Sequence, residues 1–468
     1  MPERSRLTAL DQSFLQLEGQ VTHMHVGACA VFEGPAPAYT DLIATVESRL
    51  HLVPRYRQRL AEVPLGQGRP VWVDDPQFRL PFHVRHTALP RPGGDAQLRR
   101  LAGRIFSQAL DRGRPLWEIW LVEGLSDGRF ALLSKTHHAL VDGVSGIDIA
   151  SVIFDSEPAP DPAPAPRPWA PRPLPSSAQL LADAMIERVT QPAEAVTAIG
   201  ALARGPRGVL ARAGSAVAGL GALTWAGLDP APRSPFNVPI GPHRRFTWIE
   251  ASLDDFRTVK RAQRTTINDV ILTAVAGGLG RYMQRHEQPT DGLVLKALVP
   301  VSVRDAADDG VLGNHIAAMW APLPLGVSDP AERLRLISAA MTGVKRSGQA
   351  IGAQALTELA GFASPTLVAQ AARLQTRQRL FNLVVTNVPG PQQPLYLLGR
   401  RMHAIYPLVP LAANTALGIA VLSYDGRLNF GLNADYDALA DLELLACDLE
   451  AAIAEIVQSL SSVTASST

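Results

Sequence analysis

Two stretches of the sequence, one in each half of the chain, repeat the same order of elements: an apolar strand, an Asp-Gly turn, a second apolar strand, a short polar segment and a helix. The turns are Asp127-Gly128 and Asp425-Gly426, and Asp-Gly between apolar runs is a strong signal of a β-hairpin. The polar segments are residues 137–143 and 433–435, and only the first contains histidine. We hypothesise an α/β fold that is duplicated, with one half keeping a chemically active segment.

The length and composition are those of a globular protein with two domains. At 468 residues the chain exceeds what one ordinary hydrophobic core supports. Lys and Arg number 44 against 43 Asp and Glu, which argues against nucleic acid as the main partner because phosphate binding needs a basic excess. The N-terminus has no long apolar core, and no run approaches about 20 apolar residues. These features predict a cytoplasmic protein without a spanning helix.

The chain contains two cysteines, Cys29 and Cys447. Both lie in apolar stretches of sequence, and nothing else suggests a disulfide framework. We therefore expect two buried free thiols in a reducing compartment.

A proline-rich stretch marks the clearest boundary along the chain. Prolines occupy nearly every second position from Glu157 to Pro175, and this pattern predicts an extended surface linker. We divide the chain into a first subdomain at 1–156, the linker at 157–177, a helical crossover at 178–234 and a second subdomain at 235–468. Within the crossover, the uncharged run Ala213–Leu228 fits either a packed connection or a surface that touches lipid.

A capping box predicts the first long helix of the second subdomain. Residues 266–269 read Thr-Ile-Asn-Asp, a sequence in which the first and last side chains can each satisfy the other's backbone N–H. Apolar residues recur every fourth position on one face of this helix, at Ile271, Val275 and Leu279.

The polar segment of the first half carries the chemistry. It reads His-His-Ala-Leu-Val-Asp-Gly from His137 to Gly143, and imidazole is suited to accept a proton near neutral pH. His138 is the better base because it stands four residues before Asp142, whereas His137 should face away and support it. A satisfied structural pair and a metal site are the alternatives, although adjacent histidines on a strand converge poorly on one ion.

At these residues the sequence resembles the bacterial wax ester synthase/acyl-CoA:diacylglycerol acyltransferase (WS/DGAT) family, for which the H-H-x-x-x-D-G pattern is a signature. Other elements of the family occur in the same order along nearly the whole chain, and no signature residue is altered. These elements are Pro115–Glu118, Asn268-Asp269, Asn237 with Pro239–Phe246, Pro300–Arg304 with Gly313-Asn314, and Asn387–Pro391.

The resemblance implies an α/β (α+β) fold with two chloramphenicol acetyltransferase-like subdomains that form a pseudo-dimer, with the active-site channel between them. It implies that His138 deprotonates an alcohol that attacks the acyl-CoA thioester directly, without an acyl-enzyme. Acyl-CoA is then a substrate, and no cofactor or metal is expected. Asp142 would brace the motif by pairing with an arginine, for which we suggest Arg304, and Gly143 would permit the turn.

Further site residues follow with alternatives left open. For each of four residues, stabilising the oxyanion and a structural role at a helix or strand end are both possible; these are Asn268, Asp269, Thr386 and Asn387. Two short basic clusters could contact the CoA phosphates or form ordinary solvated surface; they are Lys260, Arg261 and Arg264, and Arg377 with Arg379.

The alcohol is expected to be diacylglycerol, giving triacylglycerol, with long-chain fatty alcohols and wax esters as the alternative. Small residues near Leu408 to Gly418 favour a wide channel. Either alcohol predicts peripheral contact with the inner membrane face or with lipid inclusions. A carrier-dependent condensation enzyme and a non-catalytic lipid-droplet protein are further alternatives.

Overall fold

The computed structural model describes residues 6–141, 153–159, 169–186, 230–302, 316–346 and 380–464. Within these ranges the helices are α1 (Ala9–Leu17), α2 (Tyr39–Arg49), α3 (Asp95–Phe106), α4 (His138–Val141), α5 (177–186), α6 (Leu253–Ala262), α7 (Ile267–Arg285), α8 (Pro330–Arg346) and α9 (Leu442–Thr464). The strands are β1 (His25–Phe32), β2 (Gln58–Ala61), β3 (Val71–Asp74), β4 (Val84–Ala88), β5 (Trp117–Glu123), β6 (Phe130–His137), β7 (Arg244–Ser252), β8 (Val294–Ser302), β9 (Ile316–Pro324), β10 (Leu383–Val388), β11 (Tyr396–Leu397), β12 (Arg400–Leu408), β13 (Leu417–Tyr424) and β14 (Arg427–Asp435).

Both predicted hairpins are present, and they occupy equivalent places in two six-stranded sheets. The first sheet has the order β11-β12-β1-β6-β5-β4 and the second β7-β14-β13-β10-β8-β9. In the first, β1, β6 and β5 are antiparallel neighbours and β4 is parallel to β5. In the second, β7, β14 and β13 are antiparallel and β10 is parallel to β13. The same four-strand arrangement therefore occurs twice, as the repeated pattern predicts.

The edge of the first sheet comes from the second half of the sequence. β12 pairs with β1 over the register Gly27↔Leu408 to Phe32↔Met402, and β11 lies outside β12. The first sheet is thus built from residues more than 300 positions apart. The sequence pattern does not indicate that β12 joins the first sheet, because β12 looks like any other alternating strand.

The structure tests the predictions for the long helix α7 directly. The capping box is confirmed, with Thr266 and Asp269 each bonded to the other's backbone N–H. The apolar pattern predicted one buried face of α7, but the helix is buried almost all round. Nearly every residue from Asp269 to Met283 is buried among α8, α9 and β9. The helix that the repeated pattern predicts after the first polar segment, at about 147–154, lies largely outside the described residues, and the run Ala213–Leu228 lies wholly outside them.

The expectation of two buried thiols is half wrong. Cys29 is buried on β1, but Cys447 is exposed. Cys447 lies three residues after Leu444, whose side chain is 41% exposed on the outer face of α9. A helix residue three positions from an exposed one shares its face, so an apolar neighbourhood in sequence did not imply burial here.

The first sheet and its helix α3 pack closely against the second sheet, where β12 passes β14 and where α3 meets β7. A Cβ at Gly431 of β14 would lie 1.8 Å from the carbonyl oxygen of Pro407, and one at Gly103 of α3 would lie 2.8 Å from that of Arg244. An aromatic contact extends the β12 junction: Tyr406 stacks on Trp248 of β7 with ring centroids 4.6 Å apart. Glycine at these positions therefore sets how near β12 and α3 approach the second sheet.

Two observations bear on the surface of the protein. No helix within the described ranges is both long and apolar enough to cross a membrane. The proline-rich stretch, where the structure describes it at residues 157–159 and 169–175, has no helix or strand and is mostly exposed. It is fixed to the β2–β3 hairpin by an ion pair between Arg172 and Asp74, at 3.1 Å.

We predict that Gly431→Ala lowers the free energy of unfolding by about 1–3 kcal/mol, since overpacking against backbone forces a shift. Gly343→Ala is the matched control, because its Cβ meets nothing within 4 Å on α8 and alanine favours a helix. Urea denaturation of both variants measures the difference. Equal stability of the two would contradict the close approach of β12 to β14.

Candidate active site

The two motif histidines lie on different elements at the end of β6. His137 is the last residue of β6 and His138 the first of α4. The backbone N–H of His137 donates to the carbonyl of Leu116 at 2.9 Å, and that of His138 donates to the carbonyl of Met24 at 2.8 Å. The change from strand to helix at this point is what separates the directions of the two side chains.

His137 is fully buried and both of its ring nitrogens face protein. Its Nδ1 accepts from the backbone N–H of Ala139 at 3.1 Å, and its Nε2 lies 3.7 Å from Oε2 of Glu18. Because Nδ1 is an acceptor, the proton of the neutral ring is assigned to Nε2, directed at the carboxylate. This geometry suits a supporting residue and leaves His137 no nitrogen to offer a substrate.

Glu18 is a site residue that the sequence analysis missed. It follows α1, its side chain is 7% exposed, and its Oε2 accepts from Nε of Arg112 at 2.8 Å. Burial alone would raise the pKa of Glu18, but hydrogen bonds from His137 and Arg112, together with the positive charge of Arg112, outweigh burial and lower the pKa to about 2. With this lowered pKa, Glu18 stays ionised at neutral pH. Its carboxylate fixes the ring of His137 and, through that ring, the start of α4.

His138 is partly exposed and stacks on the ring of Phe14. The two ring centroids are 4.0 Å apart and the planes differ by 26°. Phe14 belongs to α1, which begins with a capping box between Thr8 and Asp11. That box is readable in the sequence and would have predicted α1, although not its contact with a residue more than a hundred positions away.

Two further histidines lie buried beside the motif. His25 of β1 is directly opposite His137 of β6, and the rings of His23 and His25 stack at 5.9 Å. Burial lowers the pKa of both, helped by the charge of Arg244 at His23 and of Lys135 at His25. Both rings are consequently neutral at neutral pH and add no charge to this side of the motif.

Lys135, two residues before His137, is a fully buried amine. Its Nζ donates to the carbonyls of Ile105 and Gln108 at 3.1 and 2.9 Å, and lies 3.5 Å from Oε2 of Glu118. It thereby joins the end of α3 to the motif strand. Glu118 also accepts from Arg85 at 3.0 Å, which supports a bracing role for the Pro-Leu-Trp-Glu element.

The candidates around α7 have separate surroundings. Oδ2 of Asp269 accepts from the hydroxyl of Thr265 at 2.8 Å and from the N–H of Thr266 at 3.2 Å, so Asp269 caps the helix. Asn268, in the first turn, is half-buried. The basic cluster precedes this turn: Lys260 and Arg261 end α6, and Arg264 follows, all three exposed.

Thr386 and Asn387 lie near the end of β10 in the second sheet. They are half-buried and stand opposite Ala420 and Val421 of β13. The motif histidines lie at the end of β6, a strand of the first sheet, so these candidates come from the other half of the molecule. Other predicted site residues lie outside the described residues: Asp142, Gly143, Arg304, Arg377 and Arg379.

The metal-site alternative receives no support from the part of the chain that the structure describes. No three His, Cys, Asp or Glu side chains there are arranged to hold a metal ion.

Comparison with known proteins identifies the family. Residues 7–271 match the wax ester synthase/diacylglycerol acyltransferase catalytic domain, and residues 312–457 match the WS/DGAT C-terminal domain. The chain belongs to the WS/DGAT family. It is accordingly an acyltransferase, as the resemblance implied.

Several WS/DGAT relatives and structures are similar over the whole chain. A probable diacylglycerol O-acyltransferase of Mycobacterium tuberculosis, tgs1, is 36% identical over 461 residues, covering 97% of this chain and 96% of that protein. The wax ester synthase/diacylglycerol acyltransferase from Marinobacter aquaeolei is 28% identical with a TM-score of 0.69, covering 98% and 100% of the two chains. The starter condensation domain of rhizomide synthetase RzmA, at 15% identity and a TM-score of 0.60 over 98% of this chain and 94% of that one, shares the fold.

We predict that Glu18→Gln reduces kcat by up to about a hundredfold, because a small misplacement of the motif is costly. The folded-state pKa of Glu18 lies below its ordinary value of 4.5. Its contribution to stability is therefore present above about pH 4.5 and lost as the pH falls towards 2. The free energies of unfolding of the wild type and of Glu18→Gln, measured by urea denaturation across this pH range, give the contribution of the Glu18 carboxylate. Glu62→Gln, at an exposed position, is the control. A stability difference that stayed constant down to pH 2 would contradict this role for the Glu18 carboxylate.

Proposed function

We propose that this acyltransferase transfers a long-chain fatty acyl group from CoA to the hydroxyl of diacylglycerol, making triacylglycerol, with His138 as general base. The observation that carries the proposal is the unequal setting of the two motif histidines. His137 is buried, with Nδ1 hydrogen-bonded to the backbone of Ala139 and Nε2 directed at Glu18, whereas His138 is partly exposed on the following turn. A buried, fixed ring suits a supporting role, and a partly exposed ring is accessible to a substrate.

The chemistry requires one proton transfer and one acyl transfer. His138 takes the proton of the alcohol as its oxygen attacks the thioester carbon, and the proton then passes to the departing CoA thiolate. The substrate oxyanion needs donors, for which Asn268, Thr386 and Asn387 are the candidates. Asp142 braces the motif, with Arg304 as its proposed partner. No covalent enzyme intermediate is needed, because the two substrates react directly.

Diacylglycerol is favoured as acceptor by the names of the relatives. The M. tuberculosis proteins at 34–36% identity are named as probable or putative diacylglycerol O-acyltransferases, whereas the Marinobacter protein is named for both activities. Wax ester synthesis from long-chain fatty alcohols is therefore the second candidate. Since both acceptors reside in a lipid phase, we also propose peripheral contact of this cytoplasmic protein with the inner membrane face or with lipid inclusions.

The remaining alternatives are less well supported. Likeness to condensation domains is limited to the fold, at 15% identity for RzmA, while the family matches cover the catalytic and C-terminal regions. A non-catalytic droplet protein would have no need of the contacts with Ala139 and Glu18 that fix the ring of His137. Both alternatives predict no CoA release with free lipid alcohols.

We predict that purified protein given palmitoyl-CoA releases CoA with dioleoylglycerol, and that His138→Ala abolishes the release, since loss of a general base costs about a hundred- to ten-thousandfold. A thiol reagent measures the CoA, and hexadecanol in a parallel reaction tests wax synthesis. Release with hexadecanol alone would make the protein a wax synthase. Release that persisted in His138→Ala would overturn the proposed base.

We predict that charge reversal of the basic cluster, Lys260→Glu with Arg261→Glu, raises KM for palmitoyl-CoA about three- to tenfold, through lost phosphate contacts partly screened by solvent. KM for the alcohol should not change. The matched control is Arg100→Glu with Arg104→Glu on α3, which alters net charge equally at exposed positions. An equal rise in both double variants would indicate a long-range charge effect instead of local binding.

A further inference from the structure

We propose that Phe14 is a positioning residue for the base, and that its aromatic face stabilises the imidazolium formed when His138 accepts the substrate proton. The inference builds on the proposed function, since it takes His138 as the base. Phe14 would act through His138 and make no contact with the substrate itself.

The geometry of the two rings suits a cation better than a neutral imidazole. Their centroids are 4.0 Å apart with an interplanar angle of 26°, so His138 lies over the face of Phe14. Neutral aromatic pairs prefer offset or edge-to-face arrangements because the ring faces repel. A cation within about 6 Å of a ring centroid is attracted to the electron-rich face instead. The stack therefore gains strength at the moment when His138 becomes charged.

The ring of Phe14 is held firmly enough to do this. The capping box of Thr8 and Asp11 fixes the start of α1. At the other end, Arg112 donates to the carbonyl of Leu15 at 2.7 Å and to the carboxylate of Glu18. Phe14 and Glu18 are four residues apart, so the same end of α1 contacts both motif histidines.

The charged groups around the motif do not replace this contribution. Glu18, after α1, is engaged with His137 and with Arg112. The other cations that face this region have acidic neighbours of their own: Lys135 of β6 is 3.5 Å from Glu118, and Arg244 of β7 is 3.9 Å from Asp435. His23 and His25 of the α1–β1 region are buried with lowered pKa values and remain neutral. All of these groups stay the same when only residue 14 is changed.

The test varies the ring of residue 14 and follows kcat and the pH dependence of kcat/KM for CoA release. Phe14→Leu keeps an apolar side chain without a π face, and Phe14→Tyr keeps the face. Pentafluorophenylalanine, introduced at position 14, keeps the shape and reverses the quadrupole. Phe78→Leu is the matched control, because Phe78 stacks on His83 with centroids 5.1 Å apart and planes at 22°, away from the motif.

We expect Phe14→Leu and the pentafluoro variant to lower kcat about three- to thirtyfold, the range of a partly desolvated cation–π contact. The acidic limb of the kcat/KM profile should move to lower pH by about half to one unit, because a less stabilised imidazolium loses its proton more readily. Phe14→Tyr and Phe78→Leu should retain the wild-type limb, and KM for palmitoyl-CoA should be unchanged throughout.

A pentafluoro variant with the wild-type kcat and acidic limb would overturn the proposal and leave Phe14 a packing residue. This comparison remains decisive if Phe14→Leu fails to fold, since fluorination preserves the shape. Failure of the proposed function is a different outcome: His138→Ala would then keep wild-type CoA release. An inactive His138→Ala beside an unaffected pentafluoro variant would refute only the role of Phe14.

Discussion

One buried carboxylate, Glu18, connects the segments from which the motif is built. It lies at the end of α1, accepts from the backbone N–H of Met24 ahead of β1, faces His137 at the end of β6, and pairs with Arg112 beyond α3. Because these segments are distant in sequence, the position of the motif depends on their meeting at one charge. Such a buried charge is stable only while its partners remain in place. The packing of these segments and the position of the proposed base, His138, therefore both depend on the Glu18 carboxylate.

The features that could be predicted from the sequence are those determined by residues close together along the chain. The Asp-Gly hairpins, the capping box of α7 and the seven-residue motif each occupy a short window, and local chemistry alone determines their structure. The contacts of Phe14 and Glu18 with the motif histidines join residues more than a hundred positions apart, and no pattern in a single sequence records such pairs. Lys135 was missed for a related reason: its burial depends on carbonyls at the end of α3 that the strand pattern does not reveal.

Duplication gives the same position two different uses. In the first half, the residues after the hairpin are the motif histidines. In the second, Asn433 donates to the carbonyl of Val409 and Asp435 accepts from the backbone N–H of Gly241. These bonds anchor the segment that leads from β12 to the second sheet and the segment that enters β7. The half without histidine thus uses the equivalent strand end to hold its own neighbouring segments in place.

The position of β11 and β12 at the edge of the first sheet also affects how the chain folds during synthesis. The first half emerges from the ribosome with β1 as an unpaired edge, and its partner follows more than 360 residues later. Exposed strand edges invite pairing with other chains, and contacts so distant in sequence form slowly. The first half therefore cannot close its sheet as an autonomous unit, and chains that stop before β12 are expected to aggregate even though they contain the whole histidine motif.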